Sequence, residues 1–405
     1  MKINVITLRS LLSKKDKEID ALTKSFLENI NDELFDNDIN LEINAENALI
    51  SVFLIETGGS ERKFLKYIDS LANPIILLST ERNNSLPACF EIKTYLENNG
   101  YNVLLLNGSE KDIASFFIKI SDILTANEKL HHTTLGVIGN PSDWLISSVV
   151  DFGKVKDKFG ISLLNIGTNE LFDEIDKKKY GNVRNYSSIK QKAKNQAVLE
   201  MSLYIYGALK RLINKYHLSG FTIRCFDLLD EYKSTACLAL GLLNEEGYIC
   251  GCEGDIPAML SMYLLYALTG RSSFMCNPSS INLHNLEITL AHCTIPFNMI
   301  NRYELPTHFE SNLGIGIQGT LSEGKITIFK LSSDLLGSND LIIPASIKEN
   351  LSLPGLCRTQ ILVSLRDVDM FEVIKQNYGN HVVVIYGDVT NDLFALVNLF
   401  KHKEI

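Results

Sequence analysis

Residues 248–262 read YICGCEGDIPAMLSM, and two carboxylates, Glu253 and Asp255, fall where an apolar strand gives way to a helix. Pro257 fits a first-turn position and an apolar run follows it. Asp255 is therefore placed to cap the helix by accepting hydrogen bonds from free backbone N–H groups. That leaves Glu253 without a structural duty. Ligands of open α/β folds gather at the carboxyl ends of strands, so Glu253 stands where chemistry is usually done. Three histidines sit in comparable signatures: His292 in LAHCTIP, His308 in PTHFES and His381 in GNHVVVIYGD. Glu310 follows His308 by two residues, and FMCNPSS, with Cys276 and Asn277, is a fourth signature of this kind. A lone histidine beside an apolar strand is ordinarily a satisfied core or surface residue. Three of them together with an unexplained Glu253 make a joint case. Carboxylate and neutral imidazole suit a divalent ion such as Mn²⁺, whereas thiolates would shift the preference toward zinc.

Other chemistries find little support. The chain has no G-x-S-x-G elbow, no P-loop and no G-x-G-x-x-G, and Cys276 lacks a basic neighbour to lower its pKa. IETGGSE (55–61) ends a strand and opens a helix. The backbone N–H groups of Gly58 and Gly59 could receive a phosphate or sugar hydroxyl there, or the segment is a tight turn capped by Ser60. GNPSDWL (139–145) either lines a pocket with Ser142 and Trp144, the sole tryptophan, or merely caps a helix.

The elements that must position these residues read as α/β. At 405 residues the chain is long enough for two or three domains, and its formal charge of −9 is spread rather than blocked. A modestly acidic chain without a basic stripe argues against nucleic acid, and no apolar run approaches a membrane span. Eight cysteines without a C-x-x-C pair suit reduced thiols and a cytoplasmic setting. Strands are expected at 3–7, 49–55, 75–79 and 103–106, alternating with amphipathic segments such as 61–71 and 88–98, after a first helical region at roughly 11–39. That rhythm implies a parallel sheet covered on both faces. A second sheet is expected from 134–139, 161–166, 221–226, 248–252 and 274–276, with a long helix over 189–216 spanning between lobes. Beyond His292, strands at 315–319, 325–331, 341–343 and 360–365, separated by Gly, Ser and Asn, predict an antiparallel β-domain or barrel. A strand at 382–386 and a helix at 392–400 close the chain. The domains expected are 1–133, 134–296 and 297–405.

Taken in order, LLSTERNNSLPACFEIKTYLENNGYNVLLLNG, GVIGNPSDWLISS, CEGDIPAMLSM, LAHCTIP, CRTQ and GNHVVVIYGD resemble the L-fucose isomerase/L-arabinose isomerase superfamily, in particular its shorter fucose isomerase-like branch. The resemblance runs from about residue 49 onward. It implies two Rossmann-like parallel-sheet domains followed by a β-rich C-terminal domain, and a homo-oligomer. It also implies an aldose–ketose isomerase that holds adjacent sugar oxygens on a divalent metal, usually Mn²⁺, while carboxylates move a proton through an enediol. By position, Glu253 resembles the metal-binding, proton-transferring carboxylate, and His292 and His381 resemble metal-site histidines. Asp255 and Glu310 are then further acid/base candidates, and His308, Asn277, Gly58, Gly59, Ser142 and Trp144 substrate-binding ones. Active isomerases carry a second acidic ligand at FMCNPS, where this chain has Cys276 and Asn277. A sugar-binding or regulatory relative without the acid/base pair, or another carbohydrate enzyme on the same scaffold, is the alternative.

Overall fold

The computed structural model describes residues 1–10, 16–71, 75–335, 340–365 and 379–398. They form two compact units, one comprising Met1–Thr125 with residues from Ala395, the other Ala126–Phe394. The first unit is built on β1 (Lys2–Leu8), β2 (Asn40–Ile43), β3 (Ile50–Ile55), β4 (Ile75–Ser79) and β5 (Val103–Leu106). These pair in parallel in the order β2-β1-β3-β4-β5. Successive strand residues point to opposite faces, and both faces here are apolar. Val52, Leu54, Ile76 and Leu78 pack with Leu27, Ile30 and Phe117 on one side. Phe53, Ile55, Ile75 and Leu77 pack with Phe64, Ile92 and Leu96 on the other. The expected strands are therefore present. Edge strand β2 was not foreseen, because NLEI buries only Leu41 and carries no alternating signal. The expected helix at 61–71 is a short helix, Glu61–Phe64, followed by a 3-10 turn, Leu65–Ser70. Ser60 does not cap it with its side chain; its hydroxyl donates to Thr57 O instead.

The second unit opens with β6 (Thr134–Ile138), β7 (Ser162–Ile166), β8 (Gly220–Ile223) and β9 (Ile249–Gly251), parallel in the order β7-β6-β8-β9. The chain then forms β10 (Phe274–Asn282), β11 (Glu287–His292), β12 (Arg302–Glu304), β13 (Gln318–Thr320), β14 (Gly324–Lys330), β15 (Leu341–Asn350), β16 (Thr359–Ser364) and β17 (Val382–Tyr386). Six of these close an antiparallel barrel, β10-β11-β16-β15-β14-β17, and β12 pairs with β13. The parallel-sheet domains and β-rich C-terminal barrel agree with the layout read from the sequence. Closure removes exposed sheet edges from the six strands.

Two expectations are corrected. The strand at 274–276 is not the last of the second parallel sheet. It runs on to Asn282, pairs antiparallel with β17 and turns into β11, so it is a barrel strand. The helix expected at 189–216 is two helices, Tyr186–Lys192 and Gln196–Tyr216. Asn195 breaks the run, because its side chain accepts from the backbone N–H groups of Ala197 and Val198 and starts a new helix. That second helix packs against the helices Thr168–Ile175 and Cys237–Glu245 and covers its own unit rather than spanning between lobes. The closing helix is Thr390–Asn398; the last two positions of the expected 392–400 lie outside the described residues. Among the described residues no helix is long and apolar enough to cross a membrane.

Gly207 shows how tightly the helix Gln196–Tyr216 is seated: a Cβ there would lie 2.1 Å from Lys179 O and 2.4 Å from Tyr180 Cα. Alanine ordinarily stabilises a helix interior relative to glycine, but here it would have to push backbone away. Gly207→Ala is expected to lower unfolding stability by about 1–3 kcal/mol, against the helix-propensity trend, as measured by urea denaturation.

Candidate functional site

The site lies wholly in the second unit and starts from the turn after β9. Gly254 N donates to Ile223 O at 2.9 Å, Asp255 N to Cys252 O at 3.2 Å and Ser142 N to Glu253 O at 2.9 Å. These bonds hold Glu253 at φ +61° and Gly254 at φ +73°. Left-handed backbone costs a non-glycine residue about 1–2 kcal/mol, so the turn is retained against a local penalty. Gly254 is required for a second reason: a Cβ would meet Asn140 O and Pro141 Cα, both at 2.7 Å. The turn leaves the Glu253 carboxylate facing two imidazoles.

Asp255 begins the helix Ile256–Thr269 as expected, its side chain accepting from Ala258 N at 2.8 Å, with proline in the first turn. It does more than cap. Fully buried, it takes an ion pair from Lys330 at the end of β14, with Nζ 3.0 and 3.1 Å from its two oxygens. His381, just before β17, has Nδ1 2.8 Å from Asp255 Oδ2. With Nδ1–H donating there, Nε2 is the ring nitrogen that offers a lone pair once the ring is neutral. That Nε2 is buried, has no hydrogen-bond partner, and lies 3.4 Å from Glu253 Oε1. His292, ending β11, sets Nδ1 2.9 Å from Thr294 Oγ1 and Nε2 3.9 Å from the same Glu253 oxygen. The second Glu253 oxygen accepts the Trp144 indole N–H at 2.7 Å.

Glu253, His292 and His381 thus bring one ligand atom each to within 4.8 Å of one another, all three buried. The electrostatics follow from these neighbours. Burial pushes the Glu253 carboxyl up, but the nearby His381 and His292 rings and the Trp144 bond outweigh it and hold it at about 2. Burial and the neighbouring His381 drop His292 to about 4, so it is neutral at neutral pH. Burial also disfavours the charged form of His381, yet its bond to Asp255 and the nearby Glu253 carboxylate raise it above the ordinary imidazole value. Asp255 is held well below the usual range, burial being overcome by Lys330 and His381. One carboxylate and two imidazoles, one with an orphaned nitrogen, fit a divalent cation in their donor types and grouping.

Beside the triad a cavity is lined by Phe226, Thr235, Glu253, Asn277, His308, Glu310 and several cysteines. Thr235 Oγ1 and Asn277 Oδ1 are buried there without partners. The structure therefore brings Glu253, His292 and His381 together, with Trp144, Asn277, His308 and Glu310 around them. Asp255 lies behind His381 with no exposure, so it reaches the cavity only through that imidazole. Ser142 supports the turn through its backbone and leaves its hydroxyl unpartnered. Cys276 is fully buried and donates to Phe274 O, away from the cavity lining. Gly58 and Gly59 belong to the first unit, where Gly58 N donates to Asn83 O and Gly59 has φ +78°. Lys330, Thr235 and Thr294 were missed. A lysine closing the strand ITIFK, otherwise apolar but for a threonine, was the available signal for the first.

A parallel sheet whose strand ends meet a closed barrel, with a buried carboxylate–imidazole cluster able to hold a metal between them, is the frame of an α/β enzyme. No family model matches the chain. It is 23% identical over 362 residues to a sulfoquinovose isomerase of Alkalicoccus urumqiensis, covering 82% of this chain and 80% of that protein. A sulfoquinovose isomerase of Clostridium sp. (strain MSTE9) is 24% identical over 365 residues, covering 82% and 78%. One of Priestia aryabhattai is 21% identical over 364 residues, covering 82% and 79%. All three are sugar isomerases by name, the class to which the sequence motifs pointed.

Lys330 offers a direct test of the buried relay. Removing one partner of a buried pair strands the other, so Lys330→Met is expected to destabilise by about 3–5 kcal/mol in chemical denaturation. Adding Asp255→Asn should restore part of that loss.

Proposed function

We propose that the chain is a metal-dependent aldose–ketose isomerase acting on a sugar or sugar derivative through an enediol. The observation that carries this reading is the unpartnered His381 Nε2, buried against Glu253 and beside His292. Glu253, His292 and His381 would hold a divalent cation, with Mn²⁺ the preferred candidate for such hard and borderline donors. A cation there supplies the positive charge against which negative charge develops on two adjacent sugar oxygens. The chain's own groups do the rest. Trp144 fixes one Glu253 oxygen while the other faces the two imidazoles, and the carboxylate so held would exchange a proton between C1 and C2. Glu310 and His308 line the cavity and are the groups available to pass protons to the sugar oxygens. Thr235 and Asn277 offer unsatisfied polar atoms for sugar hydroxyls. Two carboxylates, Glu253 and Glu310, reach the cavity, which favours an isomerase over a binding relative that has lost its acid/base pair. The named relatives make sulfoquinovose the first substrate to assay.

The test is deuterium exchange at C2 in D₂O with Mn²⁺, followed by NMR over sulfoquinovose and neutral aldoses. Exchange is expected in the wild type and lost in Glu253→Gln; activity surviving in that variant rules out the assigned base. Exchange with no sugar of the panel, despite bound metal, moves the reading to a binding protein.

Metal binding itself should depend on pH in one direction. His381 is raised above its ordinary value of 6.5, so it keeps to higher pH a proton that a cation must displace. Mn²⁺ affinity should rise by about tenfold per pH unit while His381 is protonated and level off above its pKa. Calorimetry in buffers of different ionisation enthalpy should detect the released proton, and paramagnetic Mn²⁺ should quench Trp144 emission.

A further inference from the structure

Five of the eight cysteines, Cys225, Cys237, Cys252, Cys293 and Cys357, line the cavity that holds Glu253. The reaction proposed above uses none of them. Two of them are carried by adjacent parallel strands. Cys225 lies just beyond β8 and Cys252 just beyond β9, and these strands are parallel neighbours. Their sulfurs therefore emerge on the same edge of the sheet, and they approach to 3.1 Å. A disulfide needs about 2.05 Å, so closing the bond asks for a movement of about 1 Å.

We propose that Cys225 and Cys252 form an oxidisable dithiol, a modification site in the cavity wall whose disulfide displaces Glu253. The oxidant is hydrogen peroxide, small enough to enter wherever a sugar hydroxyl can. Cys225, the more accessible of the pair, attacks one peroxide oxygen. An S–O bond forms as the O–O bond breaks, and the thiol proton leaves with the released hydroxide as water. Cys252 then attacks the sulfenic sulfur; the S–S bond forms, the S–O bond breaks, and the second proton leaves with that oxygen as a second water. Two thiols lose two electrons and the peroxide is reduced to two waters.

The consequence follows from the covalent neighbour. Cys252 precedes Glu253, whose left-handed turn is held by Ser142 N and, through Gly254, by Ile223 O. Drawing the Cys252 sulfur toward β8 turns the peptide that sets the Glu253 carboxylate, and with it the bond to Trp144. The single tryptophan is thus a built-in reporter that needs neither metal nor substrate. Cys276 provides the internal control, since its sulfur is buried against Phe274 O and away from the cavity lining.

The full chain would be treated with hydrogen peroxide, its thiols blocked, and the non-reduced digest mapped by mass spectrometry while Trp144 emission is followed. A Cys225–Cys252 peptide, an emission change, and reversal of both by dithiothreitol are expected. Cys225→Ser should abolish both responses and Cys276→Ser neither. No linked peptide in the wild type, a bond among Cys237, Cys293 and Cys357 instead, or a linked pair with unchanged Trp144 emission would each overturn the proposal. Wild-type mapping keeps it falsifiable if a serine variant fails to fold. The proposal stands apart from the isomerase reading, because none of these readouts requires turnover or bound metal.

Discussion

The buried carboxylate of Asp255 is the interaction on which this molecule's second unit depends. Three structural elements meet on its two oxygens: the first turn of the helix Ile256–Thr269, Lys330 at the end of β14 and His381 before β17. One group therefore starts the helix that follows the parallel sheet and joins that sheet to the barrel. It also decides which nitrogen of His381 is free. A buried ion pair of this kind is a poor device for stability alone, because desolvating both charges offsets most of their attraction. What it secures is geometry. An apolar replacement of similar volume could fill the same space without holding an imidazole by Nδ1. The position of Asp255 two residues after Glu253 means that cap, tie and site are specified within one short turn.

That turn explains why Glu253 is available at all. Had residue 253 adopted ordinary right-handed or extended backbone, its side chain would follow a different direction from the one that meets His292, His381 and Trp144. The left-handed conformation is maintained by hydrogen bonds from segments distant in sequence, Ser142 on the loop after β6 and Ile223 at the end of β8. The same loop delivers Trp144, so the indole that fixes one carboxylate oxygen and the backbone that fixes the turn arrive together. Strain and support are thus local to each other, as expected where a side chain is positioned for chemistry rather than for packing.

Much of this was legible in the residues, and the boundary of legibility has a physical cause. Continuous apolar runs such as IILLS announce buried parallel strands, and Asp-x-Pro announces a helix start, because both depend on neighbours in sequence. Glu253 stood out because no local role explained it. What escaped were features set by packing at long range. Phe274–Cys276 reads as another strand of a parallel sheet; only its pairing with β17, more than a hundred residues later, makes it part of the barrel. Lys330 pairs with a carboxylate 75 positions away. The approach of Cys225 to Cys252 depends on the register of two strands joined by a helical crossover. Asn195, by contrast, carried a local capping signal that the Lys-, Gln- and Ala-rich run around it obscured.

The substitution at FMCNPS gains a physical meaning from the observed charges. Cys276 points away into the core, and Asn277 presents an unpartnered oxygen to the cavity without a charge. The triad therefore has one carboxylate and two imidazoles that are neutral when they act as ligands. Its formal charge is −1, where a second acidic ligand would make it −2. A divalent cation would leave this triad at +1 rather than neutral. Since electrostatic stabilisation grows where charge is concentrated in a water-poor cavity, the three-donor set would favour the developing negative charge of an enediolate more strongly. It would also bind its cation less tightly, having one fewer anion to hold it. A three-donor set would thus exchange metal affinity for electrophilic strength, and would leave the remaining proton transfers to a carboxylate outside the triad. Glu310, which lines the cavity but belongs to none of the triad's bonds, is placed to be that carboxylate.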